Sequence, residues 1–119
     1  MFHDPLNNSS PFGEAMRLVA LFFVGALLCN GIPHLVAGLQ GSKFPTPFAK
    51  PRGVGESSPL VNFIWGSANL LTGLTILARR PMQLGANFQC LALAAGALLM
   101  GIYLSRHFGR VRAQRQAAR

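Results

Sequence analysis

Apolar positions along this chain come in three long runs rather than in strict alternation. Residues 16–39, 59–78 and 84–104 are predominantly apolar, and none of the three carries Asp, Glu, Lys or Arg in its interior. Each matches the roughly 20 residues a helix needs to cross the hydrocarbon of a bilayer. Hydrocarbon offers no partner for unpaired backbone groups, so such runs are helical, and no period-two pattern suggests a barrel. The expected fold class is an all-α membrane protein with three transmembrane helices. It forms a single membrane domain over residues 1–119: a polar segment (1–15), the first span, a Pro/Gly-rich loop (40–58), the second and third spans, and a basic tail (105–119).

Local signals set the boundaries. In "ESSPL", Ser58 is a candidate cap and Pro59 a first helical residue. Pro81 disfavours helix at Arg80 and ends the second run. The third run begins within a few residues, which predicts an antiparallel hairpin of helices two and three. The first run contains "NGIPHLVAG". Pro33 lacks an amide hydrogen and its ring displaces the Cys29 carbonyl, so a kinked first helix is expected, with Asn30 and His34 one turn apart beside it. The run also has the length of a signal-peptide core. However, Asp4 and Glu14 precede it and only Arg17 supplies positive charge, while its apolar character continues past Pro33 to Leu39. An uncleaved anchor is expected. Leu28 before Cys29 disfavours a lipoprotein site.

Helices in lipid associate through small residues and hydrogen bonds. Asn62, Gly66, Asn69 and Gly73 are spaced four, three and four apart and form one stripe of the second helix. The third has two such sides: Asn87, Cys90, Ala94, Ala97 and Gly101 on one, Gln89, Ala92 and Gly96 on the other. It is therefore expected at the centre of the bundle or against a second copy. On the first helix Phe23, Ala26, Asn30, His34 and Ala37 share a face. The helical rise puts Asn30 near the level of Asn69 and His34 near that of Asn62, so these four residues are a candidate polar intramembrane cluster. Above it runs "QGSKFPTPFAKPRGVGESSP". Phe44, Pro45, Pro47 and Phe48 are a candidate lid, the alternative being an ordinary interfacial connector.

Composition agrees with the pattern. The 119 residues are 50% hydrophobic and only 12% charged, with a mean hydropathy of +0.35, against roughly a quarter charged in a soluble domain. The net charge of +8 sits outside the apolar runs, with no basic stripe interleaved with aromatics, so nucleic acid is not expected. Anionic phospholipid is the expected partner. Lys43, Lys50, Arg52, Arg110, Arg112 and Arg115 are candidate headgroup contacts, worth about 1 kcal/mol each. Of the 11 Lys and Arg residues, Arg17, Arg79 and Arg80 fall on one side of a three-pass chain and the other eight on the opposite side. That asymmetry predicts an inner (plasma) membrane location with the amino terminus outside and the tail cytoplasmic.

Candidate chemistry is sparse. Asp4, Glu14 and Glu56, the only acids, lie outside the spans, so carboxylate-dependent catalysis and metal binding are not expected. Cys29 and Cys90 lack CxxC spacing and read as packing residues. A haem held by His34 and His107 is disfavoured, because His107 begins the tail while His34 lies nearly two turns deeper. No catalytic residue, metal or cofactor is assigned. The leading expectation is a structural or accessory subunit, packing with itself as a homo-oligomer or within a larger membrane complex. The alternative is a binding or transport component that takes a lipid or quinone at Asn30, His34, Asn62 and Asn69. A transporter of inverted halves finds no support in three spans without a repeat.

Overall fold

A computed structural model describes residues 10–119. In chain order the elements are α1 (Pro11–Leu39), β1 (Phe44–Pro45), β2 (Glu56–Ser57), α2 (Pro59–Arg79) and α3 (Phe88–Ala117). All three helices are long and apolar enough to cross a membrane. The bundle is elongated, measuring 63 × 24 × 23 Å.

Each helix starts where a side chain satisfies its first free amides. Ser10 Oγ accepts from Gly13 N–H at 3.0 Å and Ser58 Oγ from Val61 N–H at 3.2 Å, each followed by a proline in the first turn. Asn87 Oδ1 accepts from Cys90 N–H at 2.9 Å. Helix α1 begins at Pro11, ahead of the apolar run 16–39 that it contains, and residues 1–9 of the expected polar segment 1–15 lie outside the described residues. Helix α3 begins at Phe88 rather than at 84, and Asn87 caps it instead of joining a packing face.

Helix α3 continues beyond the apolar run, so the basic tail expected over 105–119 is helical up to Ala117. Arg, Gln and Ala are good helix formers, and Val111 is buried there with only 5% of its surface exposed. Leu104, Phe108, Val111 and Arg115 repeat at four, three and four residues, the same stripe spacing that α2 uses.

The expected hairpin of helices two and three is not the packing observed. Helix α1 packs along both α2 and α3, which make at most marginal contact with each other. The central helix is therefore α1 and not α3. Its glycines supply the reason. A Cβ at Gly25 would overlap the Leu93 carbonyl of α3, and a Cβ at Gly96 would overlap the Phe22 carbonyl of α1. On the other side, a Cβ at Gly31 would come within 3.0 Å of Gly66 O, and one at Gly66 within 2.7 Å of Leu35 N. At 100° per residue Gly25 and Gly31 point about 120° apart. The first helix therefore offers two backbone-deep seats. The pairings run parallel for α1 and α3 and antiparallel for α1 and α2.

The connection between α1 and α2 folds as a two-residue antiparallel ladder, with Phe44 opposite Ser57 and Pro45 opposite Glu56. Within it Gly53 takes φ +71° and donates to Thr46 O at 3.0 Å. At the opposite end of the bundle the Arg17 guanidinium donates to Pro81 O, tying α1 to the segment between α2 and α3.

Candidate functional site: a capped polar cavity

Asn62 organises the site. It is fully buried. Its Nδ2 donates to three carbonyl oxygens, Phe44 O at 3.0 Å, Ser58 O at 3.1 Å and Ser57 O at 3.2 Å. Three acceptors around one nitrogen settle the amide orientation, so Oδ1 must face His34 Nδ1, at 2.8 Å. A carboxamide oxygen only accepts. Nδ1 of His34 therefore carries the proton, and Nε2 is the ring nitrogen left over.

One helical turn further along, Asn30 Nδ2 donates to Asn69 Oδ1 at 2.9 Å, and Asn69 Nδ2 donates to Trp65 O at 2.9 Å. The two pairs lie at the levels that helical rise gives them. All four polar residues come together between α1 and α2, and three of them, His34, Asn62 and Asn69, are buried.

The loop above is held at several points. Buried Thr46 shares a hydroxyl–hydroxyl bond with Ser57 and accepts from Phe48 N–H at 3.2 Å. His107 on α3 donates from Nε2 to Gly53 O at 2.6 Å. Arg115, further along α3, donates to Val54 O and forms an ion pair with Glu56. Buried carbonyls need such partners, and a loop with three prolines cannot supply all of them from its own amides.

Beneath this cap lies a cavity of about 110 Å³. Among the residues that line it are His34, Trp65, Tyr103, His107 and Phe108, together with Asn30 at its inner end. The Trp65 Nε1–H is buried and makes no hydrogen bond. Rings pack around the imidazole of His34 edge to face: Phe44 at 5.5 Å, Phe108 at 6.2 Å and Trp65 at 6.4 Å between centroids. No Asp, Glu, Lys or Arg lines the cavity. Asn30 and Tyr103 also border a second, apolar hollow of about 380 Å³ between α1 and α3, floored by Ala26, Gly96 and Met100.

The other expected site residues divide as follows. Phe44 is half-buried and Pro45 buried within the cap, whereas Pro47 and Phe48 are exposed, Phe48 resting edge-on against Trp65 at 5.1 Å. Gly66 and Gly73 of α2 are buried against α1, and Gly73 meets Leu28. On α3, Ala97 approaches Gly25 and Gly101 faces Cys29 Sγ, but Ala94 is exposed and Gly96 makes the close approach instead. Lys43, Lys50, Arg52, Arg110 and Arg112 are exposed, while Arg115 is engaged with the loop.

Sequence reasoning missed Thr46, Ser57, Phe108 and the loop-holding role of His107. It also placed His34 and His107 about two turns apart, whereas both border one cavity with Phe108 touching each ring. The available signal was the stripe of Leu104, Phe108, Val111 and Arg115 running past the end of the apolar segment. Among the described residues no three of His, Cys, Asp and Glu gather where one metal ion could be held. Compared with protein families, with curated proteins and with solved structures, the chain matches none.

Proposed function

We propose that this is a three-pass integral membrane protein whose capped cavity holds the compact, uncharged head of an amphiphile. A quinone-type ring fits that description, with its apolar tail in the hollow between α1 and α3. The observation that carries the reading is the pairing of two unused polar groups at one cavity. The Trp65 indole offers a donor without a partner, and His34 Nε2 offers an acceptor, at a cavity that Asn30 also borders. The buried Trp65 N–H without a partner costs about 1–3 kcal/mol, which a ring carbonyl or hydroxyl oxygen of the ligand would recover by accepting from it, while His34 Nε2 would accept from a ring hydroxyl such as a quinol carries. The absence of charged lining residues favours an uncharged head over a phosphate or carboxylate.

Membrane insertion is supported by the outward faces of the helices. Val19, Ile32, Val36, Ile64, Leu71 and Leu98 are all exposed, an apolar surface that water tolerates poorly. The loop and the end of α3 lie together at one end of the bundle with eight of the 11 basic residues, which supports a cytoplasmic tail, an external amino terminus and a place in the inner (plasma) membrane. Pro33 denies the Cys29 carbonyl its usual donor, and this reading keeps a bend in α1 at that turn.

The test is retention of a native amphiphile. Protein extracted gently from its own membrane should carry a quinone-class molecule in native mass spectrometry. Trp65→Phe, which removes the N–H together with part of the indole, and His34→Asn, whose Nδ2 still serves Asn62 while Nε2 is gone, should lose it while each still folds, read as an unchanged helical circular-dichroism signal. A wild-type protein without any amphiphile, or variants that hold it equally well, would overturn the proposal.

One observation favours the scaffold reading as well. Helix α3 buries only Gly96, Leu104 and Val111 and leaves Ala94 exposed beside Cys90 and Leu91 in an open apolar groove. A second copy, or a larger membrane complex, would cover that face. Bismaleimide cross-linking through Cys90 to a dimer would support it, and a strictly monomeric product would count against a homo-oligomer.

A further inference from the structure

The loop end of the molecule carries a second, chemically different hollow. Between β1, β2 and the last turns of α3 lies a cleft of about 650 Å³. Lys43, Arg112, Arg115 and Arg119 border it against a single acid, Glu56. Arg115 is fixed by Glu56 and Val54 O. Among the described residues, the side chains of Lys43, Arg112 and Arg119 make no ion pair or hydrogen bond. The floor is apolar: Phe44, Phe108 and buried Val111. Pro45 and Phe108 form the wall shared with the His34 cavity.

We infer that this cleft is a discrete site for the phosphate headgroup of an anionic phospholipid. Three unpaired cations converge on one opening, and Arg115, pinned in place, keeps its rim from closing. A free phosphate would gain from the cations but not from the floor. A phospholipid would gain from both, since its glycerol and first methylenes would cover Phe108 and Val111 while the phosphate meets Arg112 and Lys43. The charge is directional. Arg110 and Arg112 point about 160° apart on α3, and Arg106 and Arg110 lie outside the cleft. A diffuse attraction between a basic tail and a membrane would weigh all of these residues alike. A built site would not. This inference does not depend on what fills the His34 cavity.

The experiment uses the full chain in nanodiscs of phosphatidylcholine containing phosphatidylglycerol, with the bound phosphatidylglycerol counted by native mass spectrometry after release. The pair Lys43→Ala with Arg112→Ala removes two cleft cations; Arg106→Ala with Arg110→Ala removes the same charge outside it. The expected result is about a thirtyfold loss of retained phosphatidylglycerol for the first pair, two cations at about 1 kcal/mol each, and a change within about twofold for the second. The exchange Lys43→Arg with Arg112→Lys should restore retention, which separates loss of charge from loss of structure. Equal losses from the two alanine pairs would overturn the site in favour of diffuse attraction. Displacement of the lipid by an equal concentration of inorganic phosphate would overturn the lipid assignment.

Discussion

His34 of α1 and Asn62 of α2 meet through Nδ1 and Oδ1 at 2.8 Å, and the same amide of Asn62 holds three carbonyls of the loop and its junction with α2. One side chain thus joins two helices and the cap above them. It also selects the imidazole tautomer, leaving Nε2 as the ring nitrogen without a partner. The polar cluster and the loop are therefore one unit, and neither can be altered without the other.

That linkage makes Asn62→Leu a severe substitution. It would take the side-chain partner from the His34 Nδ1–H, Phe44 O and Ser57 O, at roughly 1–3 kcal/mol for each group that stays buried and unpaired, while Ser58 O keeps the backbone N–H of residue 62. The expected outcome is a drop in stability of about 3 kcal/mol or more, with faster proteolysis within residues 43–56. Thermal unfolding in detergent and limited proteolysis measure both. A variant as stable and as protected as the wild type would remove Asn62 from its organising role.

The glycine seats predict a contrast on α3. Gly96→Ala places a methyl against the Phe22 carbonyl, whereas the methyl of Gly101→Ala reaches Cys29 Sγ at an ordinary 3.6 Å. The first should destabilise by about 1–3 kcal/mol through overpacking, and the second should be neutral or slightly stabilising. Paired melting curves decide it. Equal effects would argue against the close pairing of α1 and α3.

A cysteine at position 101 tests the same interface by chemistry. The Cβ built at Gly101 lies 3.6 Å from Cys29 Sγ, close to what a disulfide requires. Gly101→Cys should therefore form an intramolecular cross-link with Cys29 under mild oxidation, visible as a mobility shift reversed by reductant. The wild-type pair, Cys29 and Cys90, both unbridged, should not.

The contacts of His107 and Arg115 with the loop predict sidedness. Single cysteines at Lys50 and Arg119, in a background lacking Cys29 and Cys90, should react with an impermeant maleimide from the same face of the membrane. One at Arg79 should react from the opposite face. Labelling of all three from one side would remove the three-pass arrangement.

How much of this was legible in the sequence depends on whether a residue acts within its own helix or between elements. The stripe of Asn62, Gly66, Asn69 and Gly73 could be read because helical period alone aligns it, and those four are the residues α2 buries. The levels of Asn30 and His34 followed from rise per residue. Gly25 and Gly96 could not be paired that way. Many small residues dot α1 and α3, and which two meet depends on the rotation of each helix about its axis, which one-dimensional spacing does not contain. The helical end of α3 was hidden because hydropathy reports affinity for lipid and not backbone conformation.

By itself the sequence determined three apolar helices, their approximate ends, the polar stripe of α2 and the concentration of positive charge at one end. Each follows from local chemistry: side-chain transfer energies, capping groups and helical period. Only the tertiary structure decided that α1 lies between the other two, that His34, Trp65 and His107 border one cavity, and that Arg112 and Arg110 face different surroundings. Those facts depend on where two backbones come close enough to touch. That closeness is set by which glycines face each other in space, a relation between distant positions in the chain that no local pattern encodes.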